Sequence, residues 1–160
     1  AGEARLINVF GGKITTYRRL AESVMERIEE ALGARGPRWT AGAKLPGGDF
    51  PVTGFETLVG DLSASRPGIA PQIVRRLARA YGTRARAILG DAREDADLGR
   101  TFGAGLTEAE VRHLVASEWA RTADDVLWRR SKLGLRLGPA EVVALEDYLA
   151  GLSGANAAAQ

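Results

Sequence analysis

The sequence contains no cysteine and only one histidine, which excludes several common kinds of site. Without cysteine the chain forms no disulfide and no cysteine-ligated metal centre, and this composition fits a reducing compartment such as the cytoplasm. His113 lies among Val111, Leu114 and Val115 without the partners that a metal centre needs. We therefore expect no metal site and assign no catalytic role to His113.

Long hydrophobic runs and strong net charge are also missing. No apolar stretch approaches the roughly 18 residues of a membrane span, and no hydrophobic leader is visible at the N-terminus. The net charge is only +2, although five arginines cluster between residues 75 and 86. That cluster suits a solvated helix face or, alternatively, a free-standing helical module that binds an acidic partner or nucleic acid. With 45% hydrophobic residues, the 160-residue chain is predicted to be a folded, soluble protein.

The first 33 residues predict a strand, a glycine turn and a helix. Residues 5–10 (RLINVF) form a short apolar run that ends at two glycines, which predicts a strand. Apolar side chains then recur every four residues from 20 to 32, which predicts one apolar helix stripe. A threonine at position 15 or 16 is a suitable cap, and the glycine at 33 is a typical helix stop.

The rest of the chain divides at a connector rich in proline and glycine. Residues 34–53 hold three prolines and four glycines without a periodic pattern, so we expect an extended connector and a domain boundary there. Beyond it, helical spacing and caps predict helices without a competing strand pair, followed by a disordered tail over 153–160. The predicted helices cover residues 55–62, 70–81 and 84–89, a segment opened by the capping box Thr107–Glu110, a segment opened by Thr122–Asp125, and residues 139–152.

The turn Gly11–Gly12–Lys13 has the chemistry of an anion site without matching a common nucleotide motif. It lacks the spacing of the Walker phosphate loop and of the Gly-x-Gly-x-x-Gly dinucleotide turn. Glycines allow a flat ligand to approach the backbone, the helix start supplies free amides, and the lysine adds a cation. Such a turn suits the electron-rich edge of a reduced flavin. A tight turn with an exposed lysine explains the same residues, and the spacing alone leaves both interpretations open.

Four separate stretches, VFGGKITTYRRLAE, WTAGAKLPGG, YGTRARAIL and EWARTADDVLWRRSKLGL, resemble one family in order and spacing. Together they resemble the C-terminal part of FAD-dependent, quinone-linked glycerol-3-phosphate dehydrogenases. The resemblance implies a mainly α fold, in which a small helical cap domain over residues 54–152 follows the last strand and helix of an FAD-binding domain over residues 1–33. Residues 34–53 would connect the two.

The resemblance also implies the activity of a longer parent enzyme. Such enzymes oxidise sn-glycerol 3-phosphate to dihydroxyacetone phosphate, pass a hydride from C2 to flavin N5, and deliver the electrons to quinone. The parent would associate peripherally with the inner face of the cell membrane and would not bind nucleic acid. The nucleotide turn, the substrate domain and the catalytic residues of the family lie upstream of the matching segment. We therefore expect this chain alone to carry no catalytic residue and to be inactive.

The resemblance assigns two sets of residues. Gly11, Gly12, Lys13 and Thr15 fall on family positions near the FAD, and Lys13 and Thr15 also lie near the substrate. Lys13 would then stabilise negative charge on the reduced flavin or the substrate phosphate, which is an electrostatic role without proton transfer.

The second set is Asp125, Arg129 and Arg130, which match the family's Asp-x-x-x-Arg-Arg pattern. We favour a contact between the cap and the FAD-binding domain for these residues, because arginine's planar fork suits carboxylates across an interface. The alternative is simple decoration of a helix surface, since Asp125 and Arg129 are four residues apart. The tryptophans at 39, 119 and 128 are interpreted as packing residues.

Overall fold

The computed structural model describes residues 5–34 and 36–158, with side chains to residue 152. The fold is mainly α, and the chain divides between Lys44 and Leu45 into two compact units. The α-helices of the described part are α1 Tyr17–Leu32, α2 Phe55–Ser65, α3 Pro71–Tyr81, α4 Ala85–Leu89, α5 Glu108–Ser117 and α6 Pro139–Ala158.

The first unit consists mainly of α1 and the residues that flank it. A 3₁₀ turn at Ile14–Thr16 leads into α1, and the helix ends at Gly33, whose φ of +80° suits glycine. Residues 5–10, for which the sequence predicts a strand, form none here, because they have no ladder partner in the described part of the chain. A strand needs such a partner for its backbone groups. The run stays irregular, with Phe10 92% exposed.

The connector is held against α1 by side-chain contacts within the first unit. Thr40 donates a short hydrogen bond to the Glu22 carboxylate, which also accepts from Arg18 at 2.9 Å. One turn further along α1, Glu26 pairs with Arg38. The proline and glycine pattern predicts an extended backbone in this stretch, but it does not reveal these polar attachments.

The second unit contains a hydrophobic core to which α2 through α6 all contribute. Pro71 occupies the first turn of α3, where a missing N–H costs nothing, and the helix then buries one face. Helix α4 follows α3 after a 3₁₀ turn at Gly82–Arg84, close to its predicted bounds. The largest fully buried apolar side chains are Leu62, Val74, Leu77, Leu89, Leu98, Leu106, Val111, Leu114, Val126, Leu127 and Leu145.

A short antiparallel hairpin interrupts the helical pattern of the second unit. Strand β1 (Thr101–Gly103) pairs with β2 (Leu106–Thr107), so the expectation that no strand pair follows residue 54 is wrong. The two turn residues, Ala104 and Gly105, both have positive φ, which is typical of two-residue hairpin turns. Burial of the apolar side chains at positions 102 and 106 fixes the hairpin to the core.

The C-terminal third departs from the predicted helices in two places. Residues Asp125–Arg130 form a π-helix, in which the N–H of Ser131 reaches the carbonyl of Val126 at 3.0 Å. Helix α6 continues to Ala158, so the structure places residues 153–158 in the helix where the sequence predicts a disordered tail. Alanine is frequent in that stretch and favours helix. The last two residues of the predicted tail lie outside the described part.

Candidate functional site

The glycine turn of the first unit is open and carries an exposed lysine. Gly11 and Gly12 have φ of +77° and +136°, which side-chain-bearing residues rarely adopt. Lys13 is extended, and its carbonyl accepts from the N–H of Thr16 at 3.0 Å to start the 3₁₀ turn. Among the described residues, no side chain caps the amides at this start. Lys13 and Thr15 are exposed, so the turn presents a lysine and free backbone donors to solvent.

The interior of the second unit contains an ion pair that the sequence analysis missed. Glu110 is fully buried, and its carboxylate accepts from Arg76 at 2.9 Å and 2.5 Å and from the Tyr81 hydroxyl at 2.7 Å. Arg76 also donates to the carbonyl of Gly105 at 2.5 Å. The cluster therefore joins α3, the hairpin turn and α5. Such fork-shaped pairing satisfies a buried carboxylate that would otherwise be costly.

The protonation states in this cluster follow from burial and from the carboxylate. Burial alone lowers the pKa of Arg76, but the hydrogen bonds and charge of Glu110 outweigh burial and raise that pKa. Burial raises the pKa of Tyr81 well above its usual range, and the neighbouring Glu110 raises it further. Arg76 thus stays charged and Tyr81 stays a hydrogen-bond donor at neutral pH.

The capping box at the start of α5 is only half formed. The Thr107 hydroxyl accepts from the N–H of Glu110 at 3.4 Å, as predicted. The Glu110 side chain does not complete the box, because it turns into the core toward Arg76. Glu110 precedes Leu114 by four residues and so shares its apolar face, which is the signal in the sequence for a buried carboxylate.

His113 packs beneath the surface next to this cluster. Its ring meets that of Tyr81 edge to face, with the ring centroids 5.6 Å apart. Its buried Nε2 has no hydrogen-bond partner in the part of the chain that the structure describes and lies 3.9 Å from a Glu118 carboxylate oxygen. Burial lowers the pKa of His113 and the Arg84 charge lowers it further, while the carboxylates of Glu118 and Glu110 oppose the shift. The ring is therefore neutral at neutral pH.

The predicted interface residues of the second unit are largely engaged in local structure. Asp125 accepts from the N–H groups of Arg121 and Thr122 at 2.9 Å and 3.0 Å, and these bonds, with the Thr122 hydroxyl, lower its pKa to about 2. Arg129 pairs with Asp125 at 3.0 Å but stays 59% exposed. Arg130 donates to the carbonyl of Glu118 at 2.9 Å. Arg129 is the most exposed of the three side chains and the best placed to reach a carboxylate on another body.

The arginine cluster of the sequence does not form one charged stripe. Arg75 makes a forked pair with Glu56 on the surface, and Arg76 is committed to buried Glu110. Two of the five guanidinium groups are therefore already neutralised within the unit. The alternative interpretation is therefore not supported, in which a helical module binds nucleic acid or an acidic partner through this arginine cluster.

The prediction that the three tryptophans are packing residues is wrong for two of them. Trp39 and Trp119 are 71% and 80% exposed, whereas Trp128 is 42% exposed and its ring lies over Gly134. Trp119 follows the end of α5 with φ of +60°, a position that helices usually fill with glycine. The backbone there turns the ring outward instead of continuing the apolar stripe of α5.

The two predicted sets of site residues belong to different units, namely the glycine turn in the first and the Asp125 cluster in the second. The second unit is a small helical domain whose described residues include no group of three or more acidic or histidine side chains suited to a metal ion.

The chain belongs to the family of the C-terminal domain of alpha-glycerophosphate oxidase, which matches residues 38–153.

Curated relatives extend the similarity to nearly the whole chain. A glycerol-3-phosphate dehydrogenase of Pseudomonas aeruginosa is 45% identical over 148 residues, and the aerobic glycerol-3-phosphate dehydrogenase of Escherichia coli is 39% identical over 148 residues. A D-erythritol 1-phosphate dehydrogenase of Brucella abortus is 44% identical over 147 residues. Each alignment covers 92% of this chain but only 29% of the relative. Within the described residues, no helix has the length and apolar character to cross a membrane.

Proposed function

We propose that this chain works as the C-terminal part of an FAD-dependent glycerol-3-phosphate dehydrogenase. The observation that carries the proposal is the open turn at Gly11–Gly12, followed by an exposed lysine and an uncapped helix start. The similarity to named dehydrogenases over 92% of the chain supports it. The chain spans less than a third of those relatives, so the remaining parts of the enzyme would be supplied by sequence outside it.

The residues of the turn fit the pyrimidine edge of a flavin. A Cβ built on Gly11 would meet nothing within 4 Å, so a flat ring has room to approach the backbone there. Lys13 and the free amides supply positive charge of the kind that an electron-rich ring edge requires. When bound, FAD would supply the hydride acceptor. Lys13 would hold negative charge at that edge or at the substrate phosphate, and Thr15 would add a hydroxyl donor or acceptor nearby.

The exposed side chains of the first unit support its assignment to a larger domain. Helix α1 has no fully buried residue, and Leu6, Phe10 and Ile14 are 85%, 92% and 84% exposed. Several large apolar side chains left exposed on so small a unit are typical of a surface that contacts another body. In the proposed enzyme, these side chains would pack on the remainder of the FAD-binding domain, and residues 5–10 would gain strand partners there.

Of the three residues predicted to contact the FAD-binding domain, we assign the contact to Arg129. Asp125 and Arg130 are engaged with neighbouring backbone groups, so they would hold the π-helix in shape. Arg129 is the most exposed of the three, and we propose that it pairs with a carboxylate of the FAD-binding domain. Exposed pairs of this kind contribute roughly 0.2 to 1 kcal/mol.

The substrate is proposed to be glycerol 3-phosphate, with quinone as electron acceptor and peripheral attachment at the inner face of the cell membrane. The similarity to a D-erythritol 1-phosphate dehydrogenase, at 44% identity, favours a second candidate, a longer polyol phosphate. Both carry a phosphate for Lys13 and a secondary alcohol for oxidation. The two substrates differ in the length of their carbon chains. A substrate pocket formed by sequence outside this polypeptide would distinguish between them.

A chimeric enzyme tests the proposal directly. The matching C-terminal part of the Pseudomonas aeruginosa relative is replaced by this chain, and dye reduction is followed with glycerol 3-phosphate and with D-erythritol 1-phosphate. We expect turnover with glycerol 3-phosphate to remain within about tenfold of the parent. A chimera that folds and binds FAD but oxidises only D-erythritol 1-phosphate would select the second substrate, and one that folds without binding FAD would refute the assignment.

Within this chimera, Lys13→Met removes the charge but keeps the length of the side chain. A charge-assisted hydrogen bond contributes roughly 1.5 to 3 kcal/mol, so kcat/KM should fall about ten- to a hundredfold. Lys44→Met is the matched control, because Lys44 is also exposed and lies in the connector. Equal activity of the two variants would show that Lys13 does not act on flavin or substrate.

A further inference from the structure

The end of α3 opens onto a cleft of about 610 Å³ in the second unit. This volume is in the range of small-ligand sites. The walls are mainly apolar and aromatic, and three charged side chains lie among them. The residues that line it include Leu45, Phe50, Phe55, Arg79, Arg84 and Glu118.

One wall of the cleft is fixed by direct contact between two glycines. The carbonyl of Gly47 accepts from the N–H of Thr83 at 3.1 Å, and the Thr83 hydroxyl bonds to the carboxylate of Asp49. A Cβ on Gly82 would lie 1.9 Å from the carbonyl oxygen of Gly47, so the two backbones touch where side chains are absent. The wall is thus attached to the end of α3 and is not a loose loop.

The charges around the cleft favour an anion. Arg84 is half-buried and Arg79 is exposed, and neither forms an ion pair with another side chain of the described residues. The one carboxylate in the lining, that of Glu118, already lies 4.0 Å from Arg130 and 3.9 Å from His113. A half-buried guanidinium without a counter-ion is unusual and prefers a ligand that supplies one.

The apolar part of the cleft favours an aromatic body. The rings of Phe50 and Phe55 line it, and the ring of Tyr81 adds to the lining while its hydroxyl is committed to Glu110. One face of Phe55 is covered by the Arg75 guanidinium at 5.4 Å. The ligand therefore meets aromatic surface without a neutral hydroxyl donor, so its polar part has to be recognised by the arginines.

We propose that this cleft is a binding site for a small aromatic anion, whose acidic group pairs with Arg84 and Arg79 and whose ring packs between Phe50 and Phe55. The site is independent of the proposed dehydrogenase function, since it uses none of the residues assigned to flavin or substrate. The site is also distinct from the arginine cluster as a whole, because neither Arg75 nor Arg76 lines the cleft.

Phenyl phosphate is a suitable test ligand, and the single histidine is a built-in reporter. The His113 ring contacts Tyr81, and the Arg84 charge lowers its pKa, so the NMR resonances of this ring respond to changes in the cleft. Because the chain has a single histidine, these resonances are assigned without ambiguity. Titration of the purified chain with phenyl phosphate should shift these resonances saturably, with a Kd on the order of millimolar. Bound anion should also raise the pKa of His113, because it neutralises the guanidinium that lowers it.

Two matched variants locate the binding. Arg84→Met should weaken phenyl phosphate about tenfold and raise the pKa of His113 in the free protein. Arg86→Met changes an exposed arginine two residues further along, in α4, that does not line the cleft, and it should leave both within about twofold. Inorganic phosphate should bind at least about tenfold more weakly than phenyl phosphate, since it cannot use the aromatic walls.

Four results would overturn the proposal. These are no saturable shift of the His113 resonances with phenyl phosphate, equal losses in Arg84→Met and Arg86→Met, inorganic phosphate binding as tightly as phenyl phosphate, and sedimentation with phosphatidylglycerol vesicles without any response to the small anion. Far-ultraviolet circular dichroism of both variants establishes that each is folded as the parent chain is.

Discussion

Removal of the buried carboxylate at Glu110 should destabilise the second unit more than any surface charge change. Glu110→Gln keeps the shape but replaces one acceptor oxygen by an amide donor that faces the donors of Arg76. Breaking a buried ion pair from one side costs about 3 to 5 kcal/mol. Because 20% of the Arg76 side chain stays exposed, water relieves part of the unpaired charge, and we expect about 3 kcal/mol.

Urea unfolding of the full chain, followed by far-ultraviolet circular dichroism, measures this loss. Glu56→Gln is the control, because it removes a carboxylate from an arginine pair that is 49% and 72% exposed and should cost less than about 1 kcal/mol. The double variant Arg76→Met, Glu110→Leu should recover part of the loss, since apolar replacement removes the unpaired charge but leaves the Tyr81 hydroxyl and the Gly105 carbonyl without these partners. Equal losses in Glu110→Gln and Glu56→Gln would refute the reasoning.

Three further outcomes are expected. Gly82→Ala should lower the melting temperature strongly and close the cleft, because its Cβ would lie 1.9 Å from a backbone oxygen; an unchanged melting temperature would contradict the glycine contact. The pKa of Asp125 is lowered from 3.8 to about 2, so its stabilisation is complete above about pH 4 and lost as the pH falls toward 2. The gap in melting temperature between wild type and Asp125→Ala should therefore narrow over that interval, and a constant gap would exclude the effect. The purified chain should hold no FAD, and a flavin absorbance spectrum after gel filtration would contradict this.

The helices of the second unit could largely be predicted because their signals are local. Pro71 and the apolar spacing that follows it mark α3 within one residue of its observed start. The same is true of the threonine that caps α5, whose hydroxyl accepts the predicted bond. Such signals depend on neighbours within a few residues, which a sequence displays directly.

The features that were missed depend on distant or backbone-specific effects. Arg76 and Glu110 are 34 residues apart, so their pairing follows from how α3 and α5 pack and not from either segment. The run at residues 5–10 has strand composition, yet a strand exists only where a partner supplies hydrogen bonds. Trp119 lies at a left-handed position that its residue type does not indicate, and so its ring was expected inside.

The glycine contact at the cleft restricts which sequences can adopt this fold. Most crowded pairs in a protein can be relieved by compensation, in which one side chain shrinks when the other grows. A side chain at Gly82 would meet the carbonyl of Gly47, and one at Gly47 would meet the carbonyl of Tyr81, and a main-chain group cannot shrink. No second substitution can rescue a first one here. In any library of variants, a substitution at either position should therefore lower stability. A second substitution at the other position should not restore it.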